Sequence, residues 1–202
     1  MALVVGTALV VQLVLILLGG TDVNTGESAA AVGVGTRLAR LASYFTIQSN
    51  LLVLVASISL AVAPARDGRV WRVLRLDSLL AITVTGLVYN TLLARLVHLE
   101  GIALWTNVVL HVVAPIATLV VWLVVGPRPR ITWAVIGWAL VWPVAWIVST
   151  FVRGAVTGWY PYPFMDVAAL GYPRALGTTA LVVVLALLLA AGLKRLDRRA
   201  AR

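Results

Sequence analysis

Six long apolar runs, separated by short polar or arginine-bearing segments, constrain the fold of this chain more than any other feature. They cover residues 1–20, 41–63, 77–97, 103–125, 131–152 and 173–193. A helix needs about 20 apolar residues to cross a hydrocarbon core about 30 Å thick, and every run reaches that length. The sequence therefore predicts an all-α fold in which residues 1–202 form one domain, a polytopic six-helix transmembrane bundle.

Composition agrees with a membrane protein. The chain is 62% hydrophobic and only 11% charged, with a mean hydropathy of +1.03, and a soluble domain could not cover that much apolar surface. The first run lacks the positive residues with which a cleavable signal peptide usually begins. We therefore expect a retained first helix, although residues 28–31 loosely resemble a cleavage site.

The distribution of basic residues predicts the orientation. The net charge is +9, but the basic residues lie between apolar runs rather than on one soluble face, so we expect no nucleic-acid partner. Eleven of the sixteen fall in the gaps 64–76 and 126–130 and in the tail 194–202, which share one side if six helices alternate. Both termini should then be cytoplasmic. The Ala-, Val- and Arg-rich composition further suggests a bacterial plasma membrane.

Uncharged polar residues on three helices fall at a similar depth. They are Thr46 and Asn50 in the second run, Tyr89 and Asn90 in the third, and Asn107 and His111 in the fourth. At 1.5 Å per residue, they lie within about 14 Å of the outer ends of their helices. Polar groups in hydrocarbon need partners, so this set either joins helices or forms a site in the outer half of the bilayer. The inner halves offer only hydroxyls that can bond to their own helix, namely Ser57, Ser59, Thr83, Thr85 and Thr118.

The set contains a candidate nucleophile and a candidate base. A threonine hydroxyl needs a base within hydrogen-bond reach, and His111 is the only imidazole at the depth of Thr46. Asparagine amides can stabilise the oxyanion of an acyl-transfer reaction. We therefore predict Thr46 and His111 as catalytic residues acting on an apolar, lipid-soluble substrate. The expected substrate-binding residues are Asn50, Asn90, Asn107, Tyr89 and Asp166.

Two connecting loops differ in character. Residues 21–40 are rich in Thr, Asp, Asn, Gly and Ser, which predicts an exposed loop without secondary structure. The loop after the fifth helix packs aromatic residues between prolines at 159–166. We favour an interfacial aromatic belt there, with Asp166 capping a short helix, over a lid that closes the site.

Other functions remain as alternatives. The same polar layer could bind or transport an apolar ligand without catalysis, or could only hold the helices together. A proton pump is disfavoured because the acidic residues Asp77 and Glu100 lie at helix ends. No metal or other cofactor is expected, since the chain has no cysteine and His98 has no second imidazole at ligand spacing.

Three motifs resemble the androgen-induced-gene family of six-helix membrane proteins, which includes the androgen-dependent regulators of tissue-factor-pathway inhibitor. They are the string SYFTIQSN at residues 43–50, His111 followed by Pro115, and YPFMD at residues 162–166. The resemblance implies a threonine hydrolase of lipid esters, with fatty acid esters of hydroxy fatty acids as the substrate class. By motif match, Thr46 would be its nucleophile and His111 its base.

Overall fold

The computed structural model describes residues 1–126 and 130–199, and this part of the chain is helical without any strand. The helices are α1 (Ala2–Leu17), α2 (Val34–Ser43), α3 (Phe45–Val62), α4 (Arg69–Leu96), α5 (Gly101–Val125), α6 (Trp133–Thr157), α7 (Val167–Leu170) and α8 (Tyr172–Arg199). Short 3-10 turns lie at Ala29–Ala31 and Pro163–Met165. The predicted all-α class is confirmed.

Five helices, α3, α4, α5, α6 and α8, are long and apolar enough to cross a membrane, which indicates an integral membrane protein. The apolar helix α1 has 16 residues and rises about 24 Å, which is short of a full span. α4 is the central helix, because 61% of its most apolar window is buried, against 17% for α8.

A glycine brings α4 and α5 into close contact. A Cβ atom built on Gly86 would lie 2.8 Å from Cβ of Pro115, closer than side chains approach one another. Only glycine therefore allows the two helices to meet at this level. The contact lies one turn from His111 and sets that residue's position against α4.

Three helices depart from regular α geometry. α4 is α-helical over Arg69–Val88 and continues through a π turn at Tyr89–Leu93 and a 3-10 turn at Ala94–Leu96. α5 contains a π turn at Val109–Val113, directly before Pro115. α6 is interrupted at Leu140, between Trp133–Ala139 and Val141–Thr157. The sequence predicts kinks at Pro115 and Pro143 because proline lacks an N–H donor, and both residues follow such an irregularity.

The prediction for residues 21–40 is wrong. This segment carries the 3-10 turn Ala29–Ala31 and most of α2, and Asp22, Val23 and Asn24 are buried. The side chain of Asp22 organises it, since its carboxylate accepts hydrogen bonds from Gln12 Nε2, the Asn24 backbone N–H and the Tyr44 hydroxyl. The segment therefore closes one end of the helix bundle.

The predicted start of the second run, residue 41, also needs correction. Tyr44 is extended, with φ −68° and ψ 128°, and separates α2 from α3. The 2.9 Å hydrogen bond from its hydroxyl to Asp22 Oδ2 anchors this break from outside the helix. Thr46 is therefore the second residue of α3 rather than a residue deep inside a longer helix.

The opposite end of the bundle differs from the predicted arginine-bearing loop as well. α4 begins at Arg69, not at 77, because its first turns already bury Leu76 and Leu79. Asp77 consequently lies inside a helix rather than at its end, and the argument that placed every carboxylate at helix ends is wrong. Arg128 and Arg202, used to predict orientation, lie outside the described residues.

We call this region the arginine-rich end. The Asp197 carboxylate accepts hydrogen bonds from the backbone N–H groups of Arg130 and Ile131, and Arg130 Nη1 donates to the Arg66 carbonyl at 2.7 Å. These bonds join the end of α8, the start of the chain leading into α6, and the α3–α4 connection. The three elements therefore meet on the same side of the molecule.

Candidate catalytic site

Thr46 lies in the first turn of α3 with its side chain only 2% exposed. The backbone N–H groups of a first helical turn have no partner within the helix, and the helix dipole adds a partial positive charge there. The hydroxyl of Thr46 is therefore held in a field that favours developing negative charge. The break at Tyr44 creates this environment, because a continuous helix would have no N-terminus at this position.

Thr46 meets the one buried imidazole of the described chain. Its Oγ1 lies 3.3 Å from Nε2 of His111, which is also 2% exposed. The other ring nitrogen, Nδ1, lies 3.1 Å from the backbone carbonyl oxygen of Asn107. A carbonyl oxygen only accepts, so in the neutral ring Nδ1 carries the proton and Nε2 is left as an acceptor. The contact thus directs the Thr46 hydroxyl proton toward His111.

Tyr162 is the third member of the site, and sequence reasoning missed it as a functional residue. Its hydroxyl accepts a hydrogen bond from the Thr46 backbone N–H at 3.2 Å and lies 3.3 Å from Thr46 Oγ1. Burial raises the pKa of Tyr162 to about 12, so the phenol keeps its proton at neutral pH. The YPFMD motif was the only signal, and it lies 116 residues from Thr46 along the chain.

The three asparagines position the site through backbone carbonyls. Asn50 Nδ2 donates to the Thr46 and Leu110 carbonyls, and Asn90 Nδ2 donates to the Gly86 and His111 carbonyls. Pro115 has no N–H to offer the His111 carbonyl four residues earlier, so Asn90 supplies the missing donor. The amides of Asn50 and Asn90 thus bind backbone carbonyls of the segments that carry Thr46 and His111, and their contact with substrate stays a prediction.

Asn107 likewise contacts other segments of the chain rather than the cavity. Its side-chain amide donates to the Val23 carbonyl at 2.8 Å, while its own backbone carbonyl receives the His111 ring. The buried segment that contains Asp22 and Val23 therefore holds Asn107 in place, and the Asn107 carbonyl sets the His111 tautomer. Asn50, Asn90 and Asn107 all lie outside the wall of the cavity beside Thr46.

Tyr89 and Asp166, the remaining expected binding residues, separate into two roles. The Tyr89 ring stacks on His111 with ring centroids 3.9 Å apart and also lines the cavity, so it reaches both the base and the substrate space. Asp166 accepts hydrogen bonds from the backbone N–H groups of Ala168 and Ala169, as the predicted helix cap requires. It lies outside the cavity wall, and the hydrogen bonds it accepts cap α7.

A cavity with about 900 Å³ of empty space, including its mouth, begins at Thr46 and Tyr162. Its wall is mostly apolar and comes from α3, α4, α6, α8 and the loop before α7; it includes Leu80, Ala81, Val84, Val88, Pro143, Trp146, Val182 and Ala186. Tyr162, Phe164 and Met165 close the end beside Thr46. The loop expected as an interfacial belt therefore also covers the site.

The mouth of the cavity lies between α6 and α8. Val144 lines the cavity and is nevertheless 51% exposed, so the wall is incomplete beside it. Val183 of α8 lines the facing side and is half-buried. Both helices belong to the set long enough to cross a membrane, so this mouth faces sideways from the bundle.

The arrangement has the parts that acyl transfer needs. A hydroxyl on the wall of an apolar cavity contacts a neutral imidazole acceptor behind it, and a phenol beside it holds a second proton. The chain matches no protein-family model, no curated protein and no solved structure.

Proposed function

We propose that this protein is an intramembrane hydrolase of lipid esters, with Thr46 as the nucleophile and His111 as the general base. The observation that supports it most strongly is the 3.3 Å contact from Thr46 Oγ1 to His111 Nε2, in a ring whose Nδ1 proton is committed to the Asn107 carbonyl. A structural hydrogen bond needs neither this direction nor an opening onto a cavity. Thr46 has both.

The first half of the reaction forms an acyl-enzyme. Thr46 Oγ1 attacks the ester carbonyl carbon while its proton passes to His111 Nε2, and the carbonyl electron pair moves onto oxygen. The Tyr162 hydroxyl donates to this oxyanion, and the positive end of α3 faces the same charge. The Asn107 carbonyl and the stacked Tyr89 ring stabilise the imidazolium. Cleavage of the ester C–O bond then releases the alcohol, which takes the proton from Nε2.

The second half returns the enzyme. Water attacks the acyl-threonine carbonyl as His111 Nε2 takes one of its protons, and the new tetrahedral intermediate collapses toward the carboxylic acid. Thr46 Oγ1 leaves with the proton from Nε2. The products are one carboxylic acid and one alcohol, so atoms and charge balance without a cofactor.

Family and substrate belong to the same proposal. Residues 43–50 and 162–166, which carry the resemblance to the androgen-induced-gene family, both contribute to the site. Fatty acid esters of hydroxy fatty acids, the substrates implied by that resemblance, fit an apolar cavity with a sideways mouth. The lipid would pass between α6 and α8 directly from the bilayer.

The membrane arrangement we propose has six spans, with the 16-residue helix α1 as a short sixth span that the bilayer accommodates by local thinning. The clustering of Arg66, Arg130 and Asp197 supports one cytoplasmic end, where basic residues are favoured. Thr46, His111 and Tyr162 would then lie in the outer half of a bacterial plasma membrane, with both termini in the cytoplasm.

The proposal is tested by covalent labelling and by turnover. A fluorophosphonate probe should label the wild-type protein in nanodiscs at Thr46, as located by mass spectrometry of the peptide. Thr46→Ala and His111→Ala should each reduce hydrolysis of a long-chain ester by at least about 1,000-fold, and the double variant should be no worse, because the pair acts as a unit.

The matched control is Thr83→Ala. Thr83 is also a buried threonine in a long apolar helix, but its hydroxyl donates to the Leu79 carbonyl of its own helix. This variant should keep the activity within a few-fold of wild type. Equal hydrolysis by wild type, Thr46→Ala and His111→Ala would reject the hydrolase, and ligand binding without labelling would favour a non-catalytic binding protein.

A further inference from the structure

Asp77 is the one acidic residue on the wall of the large cavity, and the proposed reaction does not use it. It projects from α4, is 8% exposed, and has no salt bridge within the described chain. Its Oδ1 is buried without a hydrogen-bond partner among the residues that the structure describes. Its Oδ2 also receives no hydrogen bond from a described residue and, unlike Oδ1, is not sealed off, so it is the carboxyl oxygen that a molecule in the cavity can reach. A carboxyl group in apolar surroundings is costly unless something donates to it, so Asp77 favours a bound molecule that brings a donor.

The distance from Thr46 to Asp77 follows from the register of two helices. Ser49 Oγ and Thr85 Oγ1 lie 2.9 Å apart and fix α3 against α4. Thr46 is one turn from Ser49 toward the Tyr162 end, which places it near the level of Tyr89 on α4. Asp77 is twelve residues from Tyr89, so the two ends of the cavity are about 18 Å apart.

The wall between these ends offers a ligand almost no other polar group. Thr85 is engaged with Ser49, and the Thr179 hydroxyl donates to the Ala175 carbonyl of its own helix. A bound molecule therefore meets the Thr46 and Tyr162 hydroxyls at one end, apolar side chains along its length, and a carboxyl acceptor at the other. This pattern matches an acyl chain with a hydrogen-bond donor at its far end.

We infer that the cavity selects lipid esters whose acyl chain carries a hydroxyl at or near its terminus, and that Asp77 receives this hydroxyl. The inference rests on the proposed hydrolase, whose substrate class it narrows. A hydroxyl is favoured over an ammonium group because it costs far less to bring into an apolar cavity and donates to either form of the carboxyl. A hexadecanoyl chain has a suitable length, whereas a decanoyl chain would stop short of Asp77.

Binding can be measured separately from turnover in the Thr46→Ala protein. Ethyl hexadecanoate and its terminally hydroxylated derivative are titrated against this variant in nanodiscs, with thermal stabilisation as the readout. The hydroxylated ester should bind about tenfold more tightly, since it supplies the donor that Asp77 lacks. A terminal hydroxyl on ethyl decanoate should give no such gain. Equal binding of the two hexadecanoate esters would overturn the inference.

Substitution of Asp77 in the same background should reverse the preference. Asp77→Leu removes the acceptor, so the unmodified ester should bind at least as tightly as the hydroxylated one, whereas Asp77→Asn keeps a side-chain oxygen and should keep the preference. Asp67→Leu is the control, because Asp67 is exposed and lies outside the cavity wall. If the preference for the hydroxylated ester persists in Asp77→Leu, the terminal hydroxyl binds another acceptor and the role of Asp77 is rejected.

Failure of the hydrolase gives a different result. If the wild-type protein hydrolyses neither ester but the hydroxyl preference is lost in Asp77→Leu, the hydrolase proposal is rejected and the proposed ligand class stands. If the wild-type protein hydrolyses both hexadecanoate esters with equal kcat/KM, the proposed ligand class is rejected and the hydrolase proposal stands.

Discussion

Polar side chains in the two halves of the bundle make different kinds of hydrogen bonds. Near the candidate site they join separate segments: Thr46 to His111 and Tyr162, Asn50 to Leu110, Asn90 to His111, and Asn107 to Val23. Toward the arginine-rich end, Ser78 and Thr83 donate to carbonyls of their own helix. Only the first kind fixes one helix interior against another, because the bonds of Asp197 and Arg130 that join segments at the arginine-rich end lie at helix ends and loops.

Two hydroxyls that were expected to bond to their own helices in the arginine-rich half do not. Thr83 bonds within its helix as predicted, but Thr85 pairs with Ser49 across helices. The Thr118 hydroxyl is buried and has no partner in the described part of the chain. Buried oxygens without a hydrogen-bond partner among the described residues occur in both halves, at Asp77 and Thr118 on this side and at Asn50 in the site half. The hydroxyls of Thr46 and Tyr162, in contrast, are paired.

Cross-helix polar contacts stabilise membrane proteins only modestly, by about 0.6 kcal/mol each on average. The site half therefore does not owe its polar groups to stability alone. Their effect is to hold carbonyls freed by the π turns and to orient the His111 ring. Substitutions there should reduce activity strongly and stability weakly.

Among variants that keep both Thr46 and His111, Tyr162→Phe should have the largest effect. The ring and its stacking on Phe164 remain, but the oxyanion donor and the acceptor for the Thr46 N–H are lost. Loss of one such donor lowers kcat by about 100-fold, and we expect that decrease with little change in KM. Steady-state kinetics of ester hydrolysis measures both.

Tyr160→Phe is the matched control for that variant. Tyr160 lies two residues away in the same loop, and its ring packs against Phe151 and Gly154 rather than at Thr46. Its hydroxyl should be dispensable, with kcat within about twofold of wild type. Similar losses in both variants would place the effect in the loop's fold instead of in the Tyr162 hydroxyl.

Sequence reasoning found the Thr46–His111 pair because helix geometry alone places it. Both residues lie in long apolar runs, and a fixed rise per residue converts their positions into depths. Helix geometry located the asparagines as well. Asn50 lies one turn from Thr46, Asn107 lies one turn from His111, and Asn90 lies at the matching level of α4. Their chemical role was not accessible, because it depends on which carbonyls the π turns and Pro115 leave without donors.

The missed features depend on contacts between distant segments. Tyr162 reaches Thr46 across 116 residues through an irregular loop, which no periodicity describes. The break at Tyr44 contains neither proline nor glycine and is anchored by Asp22, 22 residues earlier. Asp77 was assigned to a helix end because the arginines before it resembled a loop, whereas the buried leucines beside them make a helix there.

Asn90→Leu and Thr118→Val should change stability in opposite directions. Asn90→Leu leaves the Gly86 and His111 carbonyls without their side-chain donor and should lower Tm by about 2 °C. Thr118→Val removes a buried hydroxyl that has no partner in the described chain, so Tm should stay the same or rise. Thermal unfolding in one detergent measures both. A lower Tm in Thr118→Val than in Asn90→Leu would contradict the contrast between the two halves.

The smallest effect belongs to the surface of the arginine-rich end. Hydrogen bonds from Arg72 Nε and Nη2, both 2.8 Å long, hold the pKa of the Asp67 carboxyl well below its usual range. A depressed folded-state pKa stabilises the protein above the unfolded value near pH 4, and this contribution is lost as the pH falls through the folded-state pKa. Because the pair is exposed and screened by salt, the change should be a small decrease in Tm between about pH 6 and pH 3 that is weaker in high salt. Asp67→Asn should remove that component of the acid sensitivity, and an identical acid shift in both proteins would assign it to other carboxyls.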